Sequence, residues 1–509
     1  MKTPELLALL LYFVVLLTIG LLFYFREKHE GSGEKTYFLG GRNMNAWVSA
    51  LSAGASDMSA WVLMGLPGSI YLYGVGQVWI AVGLLIGTIL AWIYVAPRLR
   101  RFSIAAGDAI TVPQFLTNRF KTDRKGILLI SAIVFMITYC IYAASSIYAC
   151  GILFNTVLGM NPMFAMVIAT IVIVVYTFLG GYNAVCWTDF FQGLLMLGAL
   201  LAVPILASFM MNFTSYQVPQ GTIPENFSNI LSSGKSDWKS WSDIISGLGW
   251  GLGYFGMPHI LIRYFSVRDE KEMRKSQIIG CVWIFIILAM ATVIGLFGRT
   301  FLGDTLTTTK DGNTLVFINI IREVFGWIGD QTGLVCISIF FAGILLSAIL
   351  AASMSTADSQ LLASSSAFAS DIYKPFFRKN SSDKEMLWAG RIIMTVISVV
   401  AFLIAASPDC KGIMELVSCA WGAFGAAFGP VILLSLYWKR LNYNGALAGI
   451  IVGFLADILW YVYLSGKTGI YEIVPGFIAG TLATLIISCC TAKPEEDVQT
   501  LFFGVHPKD

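Results

Sequence analysis

The stretch Gly247-Leu248-Gly249-Trp250-Gly251-Leu252-Gly253-Tyr254-Phe255-Gly256-Met257-Pro258 decides how this chain is read. It lies in an apolar run, residues 240–262, long enough to cross a bilayer, for which about 20 apolar residues suffice. Each glycine costs a helix roughly 1 kcal/mol relative to alanine, and the proline costs more. The segment is therefore poorly suited to one continuous helix. Lipid tolerates interrupted backbone only where protein buries it or where it lines a cavity, so a broken span points to a site. For this segment alone the alternative, close helix packing through small residues, stays open.

A second interruption lies upstream, in Ser52-Ala53-Gly54-Ala55-Ser56-Asp57-Met58-Ser59-Ala60-Trp61, where small and hydroxyl residues surround an acid in the middle of another apolar run. The rest of the chain supplies the context. Of 509 residues 57% are hydrophobic and 12% charged, where a soluble protein carries about 25% charged residues. A soluble multidomain enzyme is excluded, and the chain reads as an all-α integral membrane protein. Thirteen apolar stretches qualify as spans: 5–25, 44–70, 74–97, 126–157, 162–180, 184–211, 240–262, 276–302, 333–370, 388–406, 412–438, 445–464 and 472–492. The first runs straight into Phe25-Arg26-Glu27-Lys28 with no small-residue cleavage site, which separates it from a signal peptide. The two interrupted runs are spans 2 and 7. Two five-helix units that each begin with a broken helix have opposite orientations in the bilayer, because five is odd, and that is the arithmetic of an inverted repeat over spans 2–6 and 7–11.

Charge and reactive residues narrow the function. A net charge of +3 with scattered basic clusters argues against nucleic acid. The nine cysteines sit almost entirely inside apolar runs and read as packing residues rather than as a disulfide framework. The histidines, His29, His259 and His506, have no metal-ligand spacing. No nucleophile is paired with a base, so an enzyme is not expected. Placing the N-terminus outside puts 25 of the 33 Lys and Arg in the cytoplasmic segments 26–43, 98–125, 263–275, 374–391, 439–444 and the tail. In the outer loop 303–332, Val316, Phe317, Ile320, Ile321, Val324 and Phe325 mark an amphipathic surface helix. Asn212 and Asn226 are glycosylation sequons that matter only in a glycosylating host.

In span 9, Ala352, Ser355, Thr356 and Ser359 recur at i, i+3, i+4 and i+7 and share one helix face. Two adjacent hydroxyls and carbonyls freed from a broken neighbour make an oxygen set of low total charge, which suits a monovalent cation better than Ca²⁺. Serine and threonine also cap their own helix carbonyls, and from this segment alone that reading is preferred.

These segments resemble the sodium/solute symporter family, most closely its bacterial sodium/proline symporters. The resemblance rests on Leu39-Gly40-Gly41-Arg42, on Ala50 to Ser59 with Trp61 and Met64-Gly65-Leu66-Pro67-Gly68, and on Gly249 to Gly256 with Pro258-His259-Ile260. Ala342 to Ala352 with Met354-Ser355-Thr356, Ala423 to Pro430 and Asn444 to Gly449 extend it over nearly the whole chain. It implies a LeuT-type fold in one transporter domain, residues 1–509. That domain would comprise a first span and loop (1–43), repeat one (44–211), repeat two (240–438), two additional spans (445–492) and a cytoplasmic tail (493–509). It also implies import of L-proline with Na⁺ by alternating access across a bacterial plasma membrane. Na⁺ is the coupling ion and no other metal or cofactor is expected; lipid surrounds the protein, and no obligate protein partner is evident.

By the same resemblance sodium is held by the carbonyls of Ala55, Met58 and Ala352 and the hydroxyls of Ser355 and Thr356, with Asp57 important for its binding. Asp57 is off the helical face of Ser52, Ala55, Ser56 and Ser59, so it is expected to hold the unwound backbone, or its field, rather than to ligate the ion. The proline site carried over is Tyr142, Trp250, Tyr254 and Pro258, with Ser59 close to coupling. Trp250, Tyr254 and Pro258 at i, i+4 and i+8 form an aromatic wall for a pyrrolidine ring, and the tyrosine hydroxyls meet its polar end. Asp358 departs from the serine of the sodium/proline pattern. With Ser359 and with Asp189 of span 6 it is a candidate second cation site or the seat of a shared proton, because neighbouring carboxylates rarely both ionise without a cation. No lysine or arginine is expected deep in a span. Asp457 in span 12 lies outside the ten-helix repeat, and the sequence assigns it no function. The alternatives are a sodium symporter for a sugar, sialic acid or carboxylated vitamin, and a sensor that binds solute without moving it.

Overall fold

The computed structural model describes residues 2–30, 33–213, 223–308 and 311–505. Lys310, His506 and Lys508, together with parts of loops 26–43 and 212–239, lie outside the described residues. Among the described residues the secondary structure is helical apart from one isolated bridge between Met44 and Val267. Among the described residues ten helices are long and apolar enough to cross a membrane. The three other apolar runs are the shorter helix Pro162–Phe178 and the two interrupted segments, whose unbroken pieces are each shorter than a bilayer crossing.

Span 2 starts where the Asn45 side chain accepts from the Val48 N–H, an N-cap that satisfies one of the open donors of the first turn. The helix Ala46–Asp57 then stops at Met58 and resumes at Trp61. Span 7 is three pieces: a helix Trp238–Gly249 capped by Asp237, a tight 3₁₀ stretch Trp250–Phe255, and a helix Pro258–Ser266 with proline in its first turn. Both glycine readings apply to this span. A Cβ on Gly251 would lie 2.2 Å from the Gly83 carbonyl oxygen, and one on Gly87 would lie 2.2 Å from the Gly251 oxygen, so spans 3 and 7 meet backbone to backbone. The same glycines let the helix loosen within six residues of that contact.

Spans 5 and 6 are separated at Gly181, whose φ of 57° with ψ of −166° belongs to no helix. Span 9 runs from Val335 to Ala367 and continues as a wider turn to Phe377. The surface helix Val316–Thr332 forms as its pattern requires, with Val316, Phe317, Ile320, Ile321, Val324 and Phe325 all buried beneath it. Among the described residues the cysteines form no disulfide framework. The tail is more structured than the sequence suggested. Glu496–Val505 is a helix that buries Val498 and Phe502, and the buried Arg119 guanidinium, over the rings of Phe102 and Phe502, donates to the Val498 carbonyl.

Candidate functional site

Where the helix of span 2 ends, the Ser59 N–H turns to the Asp57 carbonyl at 2.9 Å and leaves the Ala55 carbonyl without its i+4 donor. The Ser355 hydroxyl takes that place, donating to the Ala55 oxygen at 2.8 Å and to the Ala352 oxygen at 3.2 Å. Thr356 donates to the same Ala352 oxygen at 3.1 Å. Ala55, Ala352, Ser355 and Thr356 thus converge across the break, and Met58, fully buried, is the residue at which the helix stops. The hydroxyls do cap their own helix, but Ser355 also reaches 300 positions along the chain to span 2. That second bond separates a site from ordinary capping.

Asp57 faces the other broken span. Its carboxylate Oδ2 accepts from the Tyr254 hydroxyl, and its carbonyl accepts from the Trp61 indole N–H at 3.1 Å. Its Oδ1 is buried without a partner. Asp57 therefore ties the two interruptions together, and the Tyr254 hydroxyl is committed to it.

Trp250, Tyr254 and Pro258 do not share one α-helical face as their spacing predicted, because the first two lie on the 3₁₀ stretch and Pro258 opens the next helix, but Trp250 and Tyr254 both meet Trp421. Trp250 lies 6.1 Å from Trp61, 6.5 Å from Trp421 and 5.1 Å from Tyr471, ring centroid to centroid. The Trp421 indole donates to the Trp250 carbonyl at 2.7 Å, one of the bonds the 3₁₀ stretch leaves open, and Tyr254 stands edge-on to Trp421 at 5.2 Å. This contact requires Gly253, where a Cβ would sit 2.0 Å from the Trp421 nitrogen. Tyr142 is buried with its hydroxyl unpartnered and stands edge-on to His259, the neighbour of the buried Pro258. Ser59 is buried and its hydroxyl accepts from the Trp61 N–H at 3.4 Å.

Asp189, Asp358 and Ser359 also come together, and an arginine stands among them. The expectation that no basic residue lies deep in a span is corrected: Arg263 is 1% exposed and belongs to the last helix of span 7. The apolar reading stopped at residue 262, before this first charge, whereas the helix continues to Ser266. Its guanidinium donates to Asp189 Oδ2 at 3.1 Å, to Ser52 at 3.2 Å, to the His259 carbonyl at 2.8 Å and to Ser359. Ser52 donates to Asp189 at 2.7 Å, Ser359 to Asp358 Oδ1 at 3.1 Å, and the Tyr176 hydroxyl to Asp358 Oδ2. The guanidinium pairs directly with Asp189, and Ser359 links it to Asp358.

Toward the basic loops the path is sealed. Met44 N–H donates to the Ser266 carbonyl at 3.1 Å and the Arg268 N–H to the Met44 carbonyl at 3.0 Å, joining the ends of spans 2 and 7. Arg42, at φ 57°, donates to the carbonyls of Phe265 and Ala109 at 2.7 and 2.8 Å, to Ser103 at 3.0 Å and to Asp108 at 2.8 Å. Arg100 donates at 2.6 Å to the carbonyls of both Val267 and Arg268. Partial burial works against ionisation of Asp108, but bonds from Lys35 and Arg42 outweigh it and hold its carboxyl below the usual aspartate range. The sequence carried a signal for this gate, because Arg42 closes the Leu39-Gly40-Gly41-Arg42 run. Tyr176, Trp421 and Tyr471 had none, since aromatic residues in apolar spans are common.

The profile of the sodium:solute symporter family matches residues 37–453. The chain belongs to that family. Among its relatives within the family, the high-affinity proline transporter PutP of Bacillus subtilis is 41% identical over 480 residues, covering 94% of this chain and 97% of that one. The sodium/proline symporter of Escherichia coli is 39% identical over 507 residues, covering 98% and 96%. In three dimensions this family member superposes on a Na⁺-coupled sialic acid symporter, solved in a substrate-bound outward-open state, with a TM-score of 0.76 at 20% identity, covering 97% and 99% of the two chains. A nucleobase-cation-symport-1 family transporter in a closed conformation matches with a TM-score of 0.54 at 14% identity. The likeness establishes the LeuT-type fold that the sequence resemblance implied.

Proposed function

We propose that this symporter imports L-proline together with Na⁺ across a bacterial plasma membrane by alternating access. The observation that carries the reading is the Ala55 carbonyl, released by the break in span 2 and met by Ser355 beside Ala352 and Thr356. A sodium ion there takes the carbonyls of Ala55, Met58 and Ala352 and the hydroxyls of Ser355 and Thr356, and needs no further cofactor. Because Asp57 links that segment to Tyr254, fixing span 2 also fixes the wall of Trp250, Tyr254 and Pro258 against which the pyrrolidine ring rests, with Tyr142 and Ser59 facing it. Names of relatives support proline as the solute.

In this reading all thirteen apolar runs cross the membrane, spans 2–6 and 7–11 form inverted repeats within one domain, and the N-terminus faces out with the C-terminus inside. The basic side sealed by Arg42 and Arg100 is then cytoplasmic. A potential across the membrane adds about 2.3 kcal/mol per charge per 100 mV, so inward sodium drives accumulation of a zwitterion. Coupling is reciprocal: proline raises sodium affinity by the factor by which sodium raises proline affinity.

Uptake of labelled proline into proteoliposomes under an imposed sodium gradient tests this. Ser355→Ala should weaken sodium about tenfold, as expected for losing a hydroxyl with one buried bond, and Trp250→Ala should weaken mainly proline. Uptake that continues at full rate without sodium, or full competition by a sugar or sialic acid, would overturn it. A second reading, favoured by the two carboxylates around Arg263, is that Asp189, Asp358 and Ser359 hold a second cation that neutralises the remaining negative charge. Two sodium ions per proline in flux measurements, falling to one in Asp358→Ser, would establish it.

A further inference from the structure

Two carboxylates lie apart from everything above. Asp457, in the span 12 helix Tyr443–Tyr463, is 2% exposed, and Glu472, which immediately precedes the span 13 helix Ile473–Cys490, is 3% exposed. Both press on one bare backbone position. A Cβ on Gly422 of span 11 would lie 2.8 Å from Asp457 Oδ1 and 3.3 Å from Glu472 Cγ. Asp457 Oδ1 is buried with no hydrogen-bond partner, and among the described residues neither carboxylate has an ion pair.

Most neighbours that could compensate are engaged elsewhere, and Lys467, on the short helix Ser465–Thr468 between the two spans, is exposed. Just before span 11, Lys411 pairs with Glu415 at 3.2 Å, and Glu415 also accepts from Tyr461 of span 12 at 2.9 Å. Cys419 of span 11 stands within the field of all three acids. The Tyr471 hydroxyl donates to the Ser418 carbonyl at 2.7 Å, and on the first helix of span 7 Lys239 and Asp243 pair with each other. Two buried carboxylates without a cation do not both stay ionised. Among the described residues no group of three or more His, Cys, Asp or Glu could hold a metal ion, and a metal needs several oxygens where a proton needs one.

We propose that Asp457 and Glu472 are a proton-binding carboxyl pair at the outer ends of spans 11–13, loaded from the surface past Glu415, and that the bound proton strengthens proline binding. The proton passes from outside water, at the half-exposed Glu415, to one oxygen of the pair, so that one negative charge remains. The consequence for proline rests on the wall proposed above, because Glu472 adjoins Tyr471, whose ring lies 5.1 Å from Trp250. Losing the proton sets two like charges against Gly422, pushes Glu472 away and unseats Tyr471 from behind Trp250.

Infrared spectroscopy of the purified full-length protein tests the pair without reference to transport. At neutral pH the wild type should show a protonated-carboxyl C=O stretch that fades at alkaline pH and is missing from Asp457→Asn and altered in Glu472→Gln. Identical carboxyl bands in wild type and both variants would overturn the site. In binding assays at saturating sodium, wild-type affinity for proline should fall about fivefold or more from mildly acidic to alkaline pH, the lower end of ordinary coupling between sites. Asp457→Asn should bind proline with a flat profile, and Glu472→Gln serves if that variant does not fold. A carboxyl band that titrates while proline affinity stays flat would keep the proton site and refute its coupling. Absence of proline binding altogether would sink the transport reading and leave the infrared result standing.

Discussion

Tyr254→Phe separates two roles for one hydroxyl. The sequence puts Tyr254 on the substrate wall with its hydroxyl toward proline, whereas the structure gives that hydroxyl to Asp57 Oδ2. The substitution keeps the ring that stands at 84° to Trp421 and removes only the donor. A hydrogen bond to a charged group contributes about 1.5–3 kcal/mol, so its loss corresponds to roughly a ten- to hundred-and-fifty-fold weakening of whatever state needs it. Asp57 Oδ1 already lacks a partner, so the carboxylate is left with no side-chain donor and its hold on the break at Met58 loosens. The affected state is the sodium-bound one, through the carbonyls of Ala55 and Met58. Sodium titration of labelled-proline binding should therefore show that loss in apparent sodium affinity. At saturating sodium, proline affinity should fall as well, by no more than that same factor, because the bond that carries sodium's effect to the wall is gone. Unchanged sodium affinity with a tenfold weaker proline site would refute the reasoning and return the hydroxyl to the substrate.

Gly253→Ala should weaken proline binding by about five- to hundred-and-fifty-fold, because its methyl must displace the Trp421 indole that holds the Trp250 carbonyl, an overpacking cost of about 1–3 kcal/mol. Gly326→Ala, with nothing within 4 Å of the new atom, is the control and should bind normally. Arg42→Ala removes bonds to Phe265, Ala109, Ser103 and Asp108 together, so thiol labelling of a cysteine placed at Ser266 from the basic side should rise severalfold, and unchanged labelling would show that the gate does not need the arginine. Asp108 has a folded-state pKa below its unfolded value, so its contribution is complete above the ordinary aspartate value of about 3.9 and disappears as pH falls through the lower folded value. Relative to a fully exposed reference cysteine, which corrects for the falling thiolate fraction, the same labelling should be flat from neutral pH down to that range and rise only below it, while Asp108→Asn raises it at neutral pH.

The break in span 7 was legible because glycine and proline act locally: their cost to a helix depends on little beyond their own backbone, and the structure breaks around Gly256. In span 2 the signal was the run of small and hydroxyl residues about Asp57, and the helix stops at Met58. The face of Ser355 and Thr356 was legible from the helix repeat, although the repeat could not say whether the hydroxyls served their own helix or another. Arg263 was hidden for a physical reason. An arginine next to an apolar run marks the membrane edge in most chains, and only its partners, Asp189 at a separation of 74 residues and Ser359 at 96, allow it to remain inside. Sequence spacing carries no trace of such pairings. The same holds for Tyr471, which lies in a short connection before span 13 and reaches the site only because Gly249 lets Ile473 and Val474 pack against span 7.

The seal between Met44, Ser266 and Arg268 is made of main-chain N–H and C=O groups, and the arginines that brace it also point at carbonyls. Its strength is thus nearly independent of which side chains occupy positions 44, 266 and 268. Drift at those positions leaves the closed state intact, while a proline at 44 or 268, which deletes one donor, disables it. Opening also exposes unpaired peptide groups that water must reach before they are satisfied. The rate at which this face opens is therefore set by hydration of backbone, a quantity evolution adjusts through access for water and through the two bracing arginines.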